Sequence, residues 1–196
     1  VSETLLYFDR EIFYFLNHTI ANPILDLFFP VLTDLNKHWY GWLAYGAGWL
    51  YLMIGCGKRG RTAGILLILL VAFSDQLNSS LLKALFQRPR PCHLVDGIPA
   101  VEHVRLLVDC GGGYSFPSSH AVNNFAAATL LSFFYRRWRW AFFLFAALMA
   151  LSRPYVGAHY PSDIVAGAMV GVLCACIVLG MWRATVQQLP ALGLDE

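Results

Sequence analysis

The chain has 196 residues, of which 58% are hydrophobic, 15% aromatic and only 13% charged, with a formal net charge of +2. Soluble domains carry about 25% charged residues, so the composition excludes an ordinary soluble domain and points to a chain built for hydrocarbon. The small positive charge speaks against nucleic acid as a partner, and no repeat, low-complexity tract or long polar linker divides the sequence. Residues 1–196 are therefore expected to form a single membrane-embedded domain.

Taken in chain order, the N-terminus carries Glu3, Asp9 and Glu11 where a secretory leader would carry basic residues, so no cleavable leader is expected. The segment "IFYFLNHTIANPILDLFFPVLTDL" is apolar but broken by Asn17, His18, Asn22, Pro23 and Asp26. It reads as an amphipathic N-terminal helix running into a short or tilted first span. Long apolar runs follow at residues 40–56, 62–73, 121–135, 138–151 and 164–182. The fold class is thus all-α, a polytopic membrane helical bundle with about six transmembrane helices and an N-terminal amphipathic segment.

The short connectors "GKRGR" and "RRWR" carry Lys58, Arg59, Arg61, Arg136, Arg137 and Arg139, and alternation of the spans places both on one side with Arg183. The positive-inside rule makes that side cytoplasmic. Lys37, Lys83, Arg88, Arg90, Arg105 and Arg153 fall on the other side. There, three polar segments converge on the outer face: "LLKALFQRPRP", "SFPSSHAVNN" and "SRPYVGAHYPSD".

These residue types fit phosphate chemistry. Pro117 in "FPSSHA" reads as at or near the first helical position and Pro161 in "YPSD" as the opening of the last span, so two helix N-termini would face one outer pocket. Their free N–H groups and the positive dipole ends favour an anion, and the hydroxyls of Ser118 and Ser119 add donors. Lys83, Arg90 and Arg153 supply cations for phosphoryl oxygens, and charges at such depth mark functional sites. His159 and Asp163 stand four residues apart across a helix start, so the carboxylate can hold one imidazole nitrogen and leave the other to attack. His120, on another helix, is free to give a proton to a leaving group.

The three segments resemble the signature of the type 2 phosphatidic acid phosphatase family, which includes glucose 6-phosphatases and vanadium haloperoxidases. Lys83 with Arg90 and Pro91 matches its first part. Pro117, Ser118 and His120 match its second, with Ser119 where glycine usually stands, and Ser152, Arg153, His159 and Asp163 match its third. The resemblance covers about residues 40 to 183, with the signature region at 83–163. It implies a membrane enzyme in which His159 attacks phosphorus to form a phosphohistidine, Asp163 orients it, and His120 acts as general acid. Lys83, Arg90, Ser118, Ser119 and Arg153 would bind the phosphate, without metal or other cofactor. The partners implied are the bilayer and a lipid phosphate. Undecaprenyl pyrophosphate is the first expectation, with lipid A 1-phosphate, phosphatidylglycerol phosphate and phosphatidic acid as alternatives, in a bacterial inner membrane with the site on its periplasmic face. A reading of another class is an anion or lipid transporter without turnover, which explains the outer cations but not the His–Asp pair.

Outside the signature, Asp75, Ser79 and Lys83 recur every four residues and would share a helix face, either as a charge partner for Lys83 or as a network joining helices. Asn123 and Asn124 read as interhelical contacts. Cys56, Cys174 and Cys176 read as packing residues, whereas Cys92 and Cys110 bound the outer loop, where an oxidising compartment permits a disulfide.

Overall fold

A backbone that leaves water must satisfy its own hydrogen bonds, and each long apolar run of this sequence does so as a helix. The computed structural model describes residues 3–188; residues 1–2 and 189–196, the ends of the domain expected over 1–196, lie outside the described residues. The helices are α1 (Glu3–Tyr14), α2 (Pro23–Thr33), α3 (Trp39–Gly55), α4 (Gly57–Gln76), α5 (Lys83–Phe86), α6 (Ser119–Phe134), α7 (Arg139–Tyr155) and α8 (Pro161–Gln188). α4 runs through a π-helical turn, Leu77–Leu82, into α5, so Gly57–Phe86 is one rod of 30 residues. This rod and the 28-residue α8 are each long and apolar enough to cross a bilayer.

Helix α6 is the hub, packed against α4, α7 and α8. Ala63 and Leu70 of α4, Ala126 and Leu130 of α6, and Cys174 and Ala175 of α8 form the core between them. The α6–α8 seam is a backbone contact: a Cβ added to Gly167 would lie 2.7 Å from the Ser118 carbonyl oxygen, and one on Gly171 2.2 Å from that of Val122. Small residues one turn apart allow such an approach between membrane helices. At the top of the seam, the Ser118 N–H donates to the Asp163 carbonyl at 3.1 Å, which ties the two helix starts together.

The two ends of the bundle differ as the charge pattern predicts. At one end Arg59 donates to the Phe134 carbonyl and lies over the Tyr135 ring, Arg139 lies over Trp140, and Arg183 lies 4.5 Å from the Phe133 ring centroid. "GKRGR" is not a loop, however. Only Cys56 separates α3 from α4, and Lys58, Arg59 and Arg61 stand at the start of α4, where Arg61 reaches back to the Met53 carbonyl at 3.2 Å.

Where a short or tilted first span was expected, the structure places α2, a short apolar helix. Asn22 breaks the apolar segment by capping α2, its Oδ1 accepting the N–H groups of Ile24 and Leu25 at 3.1 and 3.0 Å. With 11 residues, α2 is about 16 Å long, roughly half a hydrocarbon core of about 30 Å. Asp9 of α1 binds Ser162 at the start of α8, and α3, antiparallel to α4, also begins at that end. Residues 9 and 39 thus stand at the same end of the bundle as the start of α8.

Two local readings also change. The π turn adds a residue to the helical period and rotates the face below it, so Asn78 is buried and Ser79 exposed, and Asp75, Ser79 and Lys83 do not line up. Asp75 instead accepts from Asn123 at 3.0 Å, and Asn123 in turn accepts from Ser74 at 2.9 Å, a network that joins α4 to α6. Asn124 donates to the His120 carbonyl within its own helix at 2.9 Å. The loop between α5 and α6, read as plain connection, holds a small hairpin, β1 (Leu94–Val95) and β2 (Ile98–Pro99). Asp96 and Gly97 both have positive φ in its two-residue turn, as a type I′ hairpin requires. Cys92 and Cys110 are joined in a disulfide across this loop, with Cα atoms 6.1 Å apart.

Candidate active site

The start of α8 and the turn before it carry the pair singled out by spacing. Pro161 opens α8, Asp163 sits in its first turn, and His159 occupies the turn after α7. His159 is 2% exposed and Asp163 fully buried. His159 Nδ1 lies 3.4 Å from Asp163 Oδ2, a distance that suits a pair which tightens when substrate binds. Burial holds the His159 imidazole down to about 4, the hydrogen bond with Asp163 opposing and the Arg153 charge reinforcing the shift. At neutral pH its imidazole is uncharged.

Asp163 is held on every side. Its Oδ2 accepts the Tyr160 N–H at 2.8 Å and the hydroxyl of Ser115, and its Oδ1 accepts Arg88 Nη1 at 2.8 Å. Ser115 also lies 3.4 Å from His159 Nδ1. Neither Ser115 nor Arg88 stood out in the sequence as a member of the site. The signal for Arg88 was the doubled arginine of "QRPRP"; Ser115, in "GYSFPSS", had none.

The start of α6 faces this pair. Ser118 is the N-cap and Ser119 the first helical residue, so Pro117 lies ahead of the cap and not at the first helical position. Ser118 Oγ is buried without a hydrogen-bond partner among the described residues. Ser119 Oγ accepts from Asn78 Nδ2 at 2.9 Å. His120 Nε2 lies 3.0 Å from the Thr33 carbonyl; a carbonyl only accepts, so Nε2 carries a proton and donates it there.

Of the cations, Arg153 is 5% exposed and gives Nη1 to Thr33 Oγ1 at 2.8 Å, while its buried Nε has no partner among the described residues. Arg90 spends part of its fork on backbone, donating to the carbonyls of Cys110 at 2.9 Å, Gly113 at 3.3 Å and Gly112 at 3.4 Å. Lys83, Arg90 and Arg153 are electrostatic neighbours, and both histidines feel the charges of Arg90 and Arg153. The structure thus brings together Lys83, Arg90, Ser118, Ser119, His120, Arg153, His159 and Asp163. Ser152 is the exception among the matched residues, its hydroxyl turned to the Met149 carbonyl in its own helix at 2.7 Å.

The polar residues that broke the N-terminal segment also serve this end. Asn17 is fully buried; its Nδ2 donates to the carbonyls of Tyr155 at 2.7 Å and Arg105 at 2.9 Å, and its Oδ1 accepts the Arg105 N–H at 2.8 Å. Asp26 takes both a two-oxygen grip from Arg105 Nη2, at 2.9 and 2.8 Å, and the Tyr155 hydroxyl at 2.6 Å. They clamp the turn that carries His159.

A membrane-built helical bundle that gathers an oriented histidine, a second histidine and a basic phosphate-sized cluster at one end is of the class of integral-membrane phosphatases. The PAP2 superfamily model matches residues 63–186, and the chain belongs to that family. It is 32% identical over 173 residues to the lipid A 4'-phosphatase of Bacteroides thetaiotaomicron, covering 86% of this chain and 74% of that protein. It is 31% identical over 175 residues to the lipid A 4'-phosphatase of Porphyromonas gingivalis, covering 87% and 71%. The crystal structure of Aquifex aeolicus LpxE superposes with a TM-score of 0.67 at 29% identity, covering 87% of this chain and 93% of that one. The protein is a PAP2 membrane lipid phosphatase.

Proposed function

We propose that the protein removes a phosphate monoester from a lipid A-type glycolipid at the periplasmic face of a bacterial inner membrane. The observation that carries the chemistry is the buried His159–Asp163 pair set beside the unpartnered Ser118 Oγ and Arg153 Nε. His159 Nε2 attacks phosphorus, the bond to the sugar oxygen breaks, and His120, entering as the imidazolium with Nε2 held by the Thr33 carbonyl, gives that oxygen its Nδ1 proton. Water then cleaves the phosphohistidine, returning a proton to His120 and releasing inorganic phosphate. Lys83, Arg90, Ser118, Ser119 and Arg153 hold the equatorial oxygens, so positioning and electrostatics do most of the work.

The choice of lipid rests on the two lipid A 4'-phosphatases, to which this chain is similar over most of its length. They favour lipid A over undecaprenyl pyrophosphate, the first expectation from sequence. The arginine-rich end is assigned to the cytoplasm, with five crossings by α3, the α4–α5 rod, α6, α7 and α8. Phosphate release is to be measured from lipid A, undecaprenyl pyrophosphate, phosphatidylglycerol phosphate and phosphatidic acid in mixed micelles with chelator present. Lipid A should be the preferred substrate and His159→Ala inactive. Preference for undecaprenyl pyrophosphate would overturn the substrate, and turnover by His159→Ala would overturn the nucleophile.

A further inference from the structure

Asp9 lies on α1, far outside the residues 63–186 matched by the family model, and no part of the three-segment signature includes it. On a helix that exposes Tyr7, Phe8 and Ile12, it is 6% exposed. An acidic side chain is buried at such a place only when its partners repay the desolvation. Asp9 has three donors. Its Oδ2 accepts Arg88 Nη2 at 2.6 Å and the Ser162 hydroxyl at 2.6 Å, and its Oδ1 accepts the Ser162 N–H at 2.8 Å.

Those partners lead to the nucleophile. The guanidinium carbon of Arg88 lies over the Tyr160 ring, 3.8 Å from its centroid, and the group is forked between Asp9 and Asp163. Ser162 is the residue between Pro161 and Asp163 in the first turn of α8, so Asp9 also satisfies one of the free N–H groups there. One turn on, Phe13 is fully buried against Tyr160, with centroids 5.9 Å apart. A single guanidinium shared by two carboxylates is fixed in plane and gives each only part of its charge. With Asp9 neutral, Arg88 would lean wholly on Asp163, weaken that carboxylate as an acceptor for His159, and lose the contact that fixes its angle.

We propose that Asp9 is a positioning residue that sets the geometry and basicity of the His159–Asp163 pair through Arg88. This rests on the roles given above to His159 and Asp163, but not on the choice of lipid. The test is therefore run on p-nitrophenyl phosphate as well as lipid A, with His159→Ala as reference. Asp9→Asn should lower kcat about tenfold while KM moves less than twofold. Arg88→Ala should do at least as much, and the double variant should be no slower than Arg88→Ala alone, since both act on one path. Phe13→Ala, which loosens α1 without touching the charges, should lower the thermal midpoint more than Asp9→Asn but kcat less. If Asp9→Asn keeps kcat within twofold while His159→Ala is inactive, the proposal fails and the His159 assignment stands. Additive losses in the double variant, or an equal kcat loss in Phe13→Ala, would show Asp9 to be only a docking contact. An active His159→Ala would bring down both readings.

Discussion

Gly171→Ala adds one methyl group at the α6–α8 seam, and its cost can be worked from the contact. The new Cβ would stand 2.2 Å from the Val122 carbonyl oxygen and 2.9 Å from the Ala126 nitrogen. Carbon and carbonyl oxygen meet at about 3.3 Å, so the helices must part by about 1 Å. Both obstacles are backbone, and no rotamer change relieves them. Overpacking of this kind costs about 1–3 kcal/mol. The seam carries Ser118 and His120 on one side and Asp163 on the other, and a misplacement of about 1 Å at reacting groups costs about 100-fold in rate. Gly171→Ala should therefore lower kcat for phosphate release by about two orders of magnitude and reduce the thermal midpoint in detergent. Gly167→Ala, 2.7 Å from the Ser118 carbonyl, should lose less stability but a comparable share of kcat. Gly180→Ala, with nothing within 4 Å of its Cβ, should resemble wild type. If Gly171→Ala keeps kcat within twofold, or Gly180→Ala costs as much, the seam does not set the site.

Other outcomes follow from the clamps around the pair. Asn17→Ala leaves the Arg105 N–H and the Tyr155 carbonyl without their Asn17 partners, at about 1–3 kcal/mol per orphaned group; thermal melts should show a clear loss, and an unchanged midpoint would refute the clamp. Cys92→Ser with Cys110→Ser opens a link of sequence separation 18, worth about 3 kcal/mol, and frees the carbonyls that grip Arg90. KM should rise severalfold with a smaller change in kcat, and a KM equal to wild type would show that Arg90 is held without the link. The folded His159 titrates at about 4 against an ordinary 6.5, so between those values the unfolded chain binds a proton that the folded chain does not. Stability should fall as pH drops through that window. A thermal midpoint followed from pH 7 to 5 should fall less steeply in His159→Gln, and identical slopes would refute the shift.

Spacing made much of the site legible. His159 and Asp163 could be paired because four residues across a helix start bring two side chains together, and the arginine-rich turns could be put at one end because alternation of spans has few solutions. Lys83, Arg90 and Arg153 converge as their place at the outer ends of three segments implied. The misses came from effects that periodicity does not see. The π turn at Leu77–Leu82 shifted the helix face, so Asn78 and not Ser79 is buried. Asp26 and Asn17 looked like flaws in a span, because their partners Arg105 and Tyr155 lie far along the chain. Arg88 counted only as one cation of the outer side, because its partners Asp9 and Asp163 lie 79 and 75 residues away in the chain.

The N-terminal segment sends one polar side chain after another to residues 153–162. Asp9 reaches Ser162 across 153 positions, Asn17 reaches Tyr155 across 138, Asp26 meets Tyr155 across 129, and Thr33 meets Arg153 across 120. During synthesis Asp9 can meet Arg88, and Asn17 and Asp26 can meet Arg105, about halfway along the chain, but their contacts with Tyr155 and Ser162 form only much later. A ribosome-bound chain arrested before α8 would have its cations in place but neither Asp163 nor the Ser162 contact for Asp9. Catalytic competence then depends on α8, whose first turn brings both Asp163 and the Ser162 contact for Asp9.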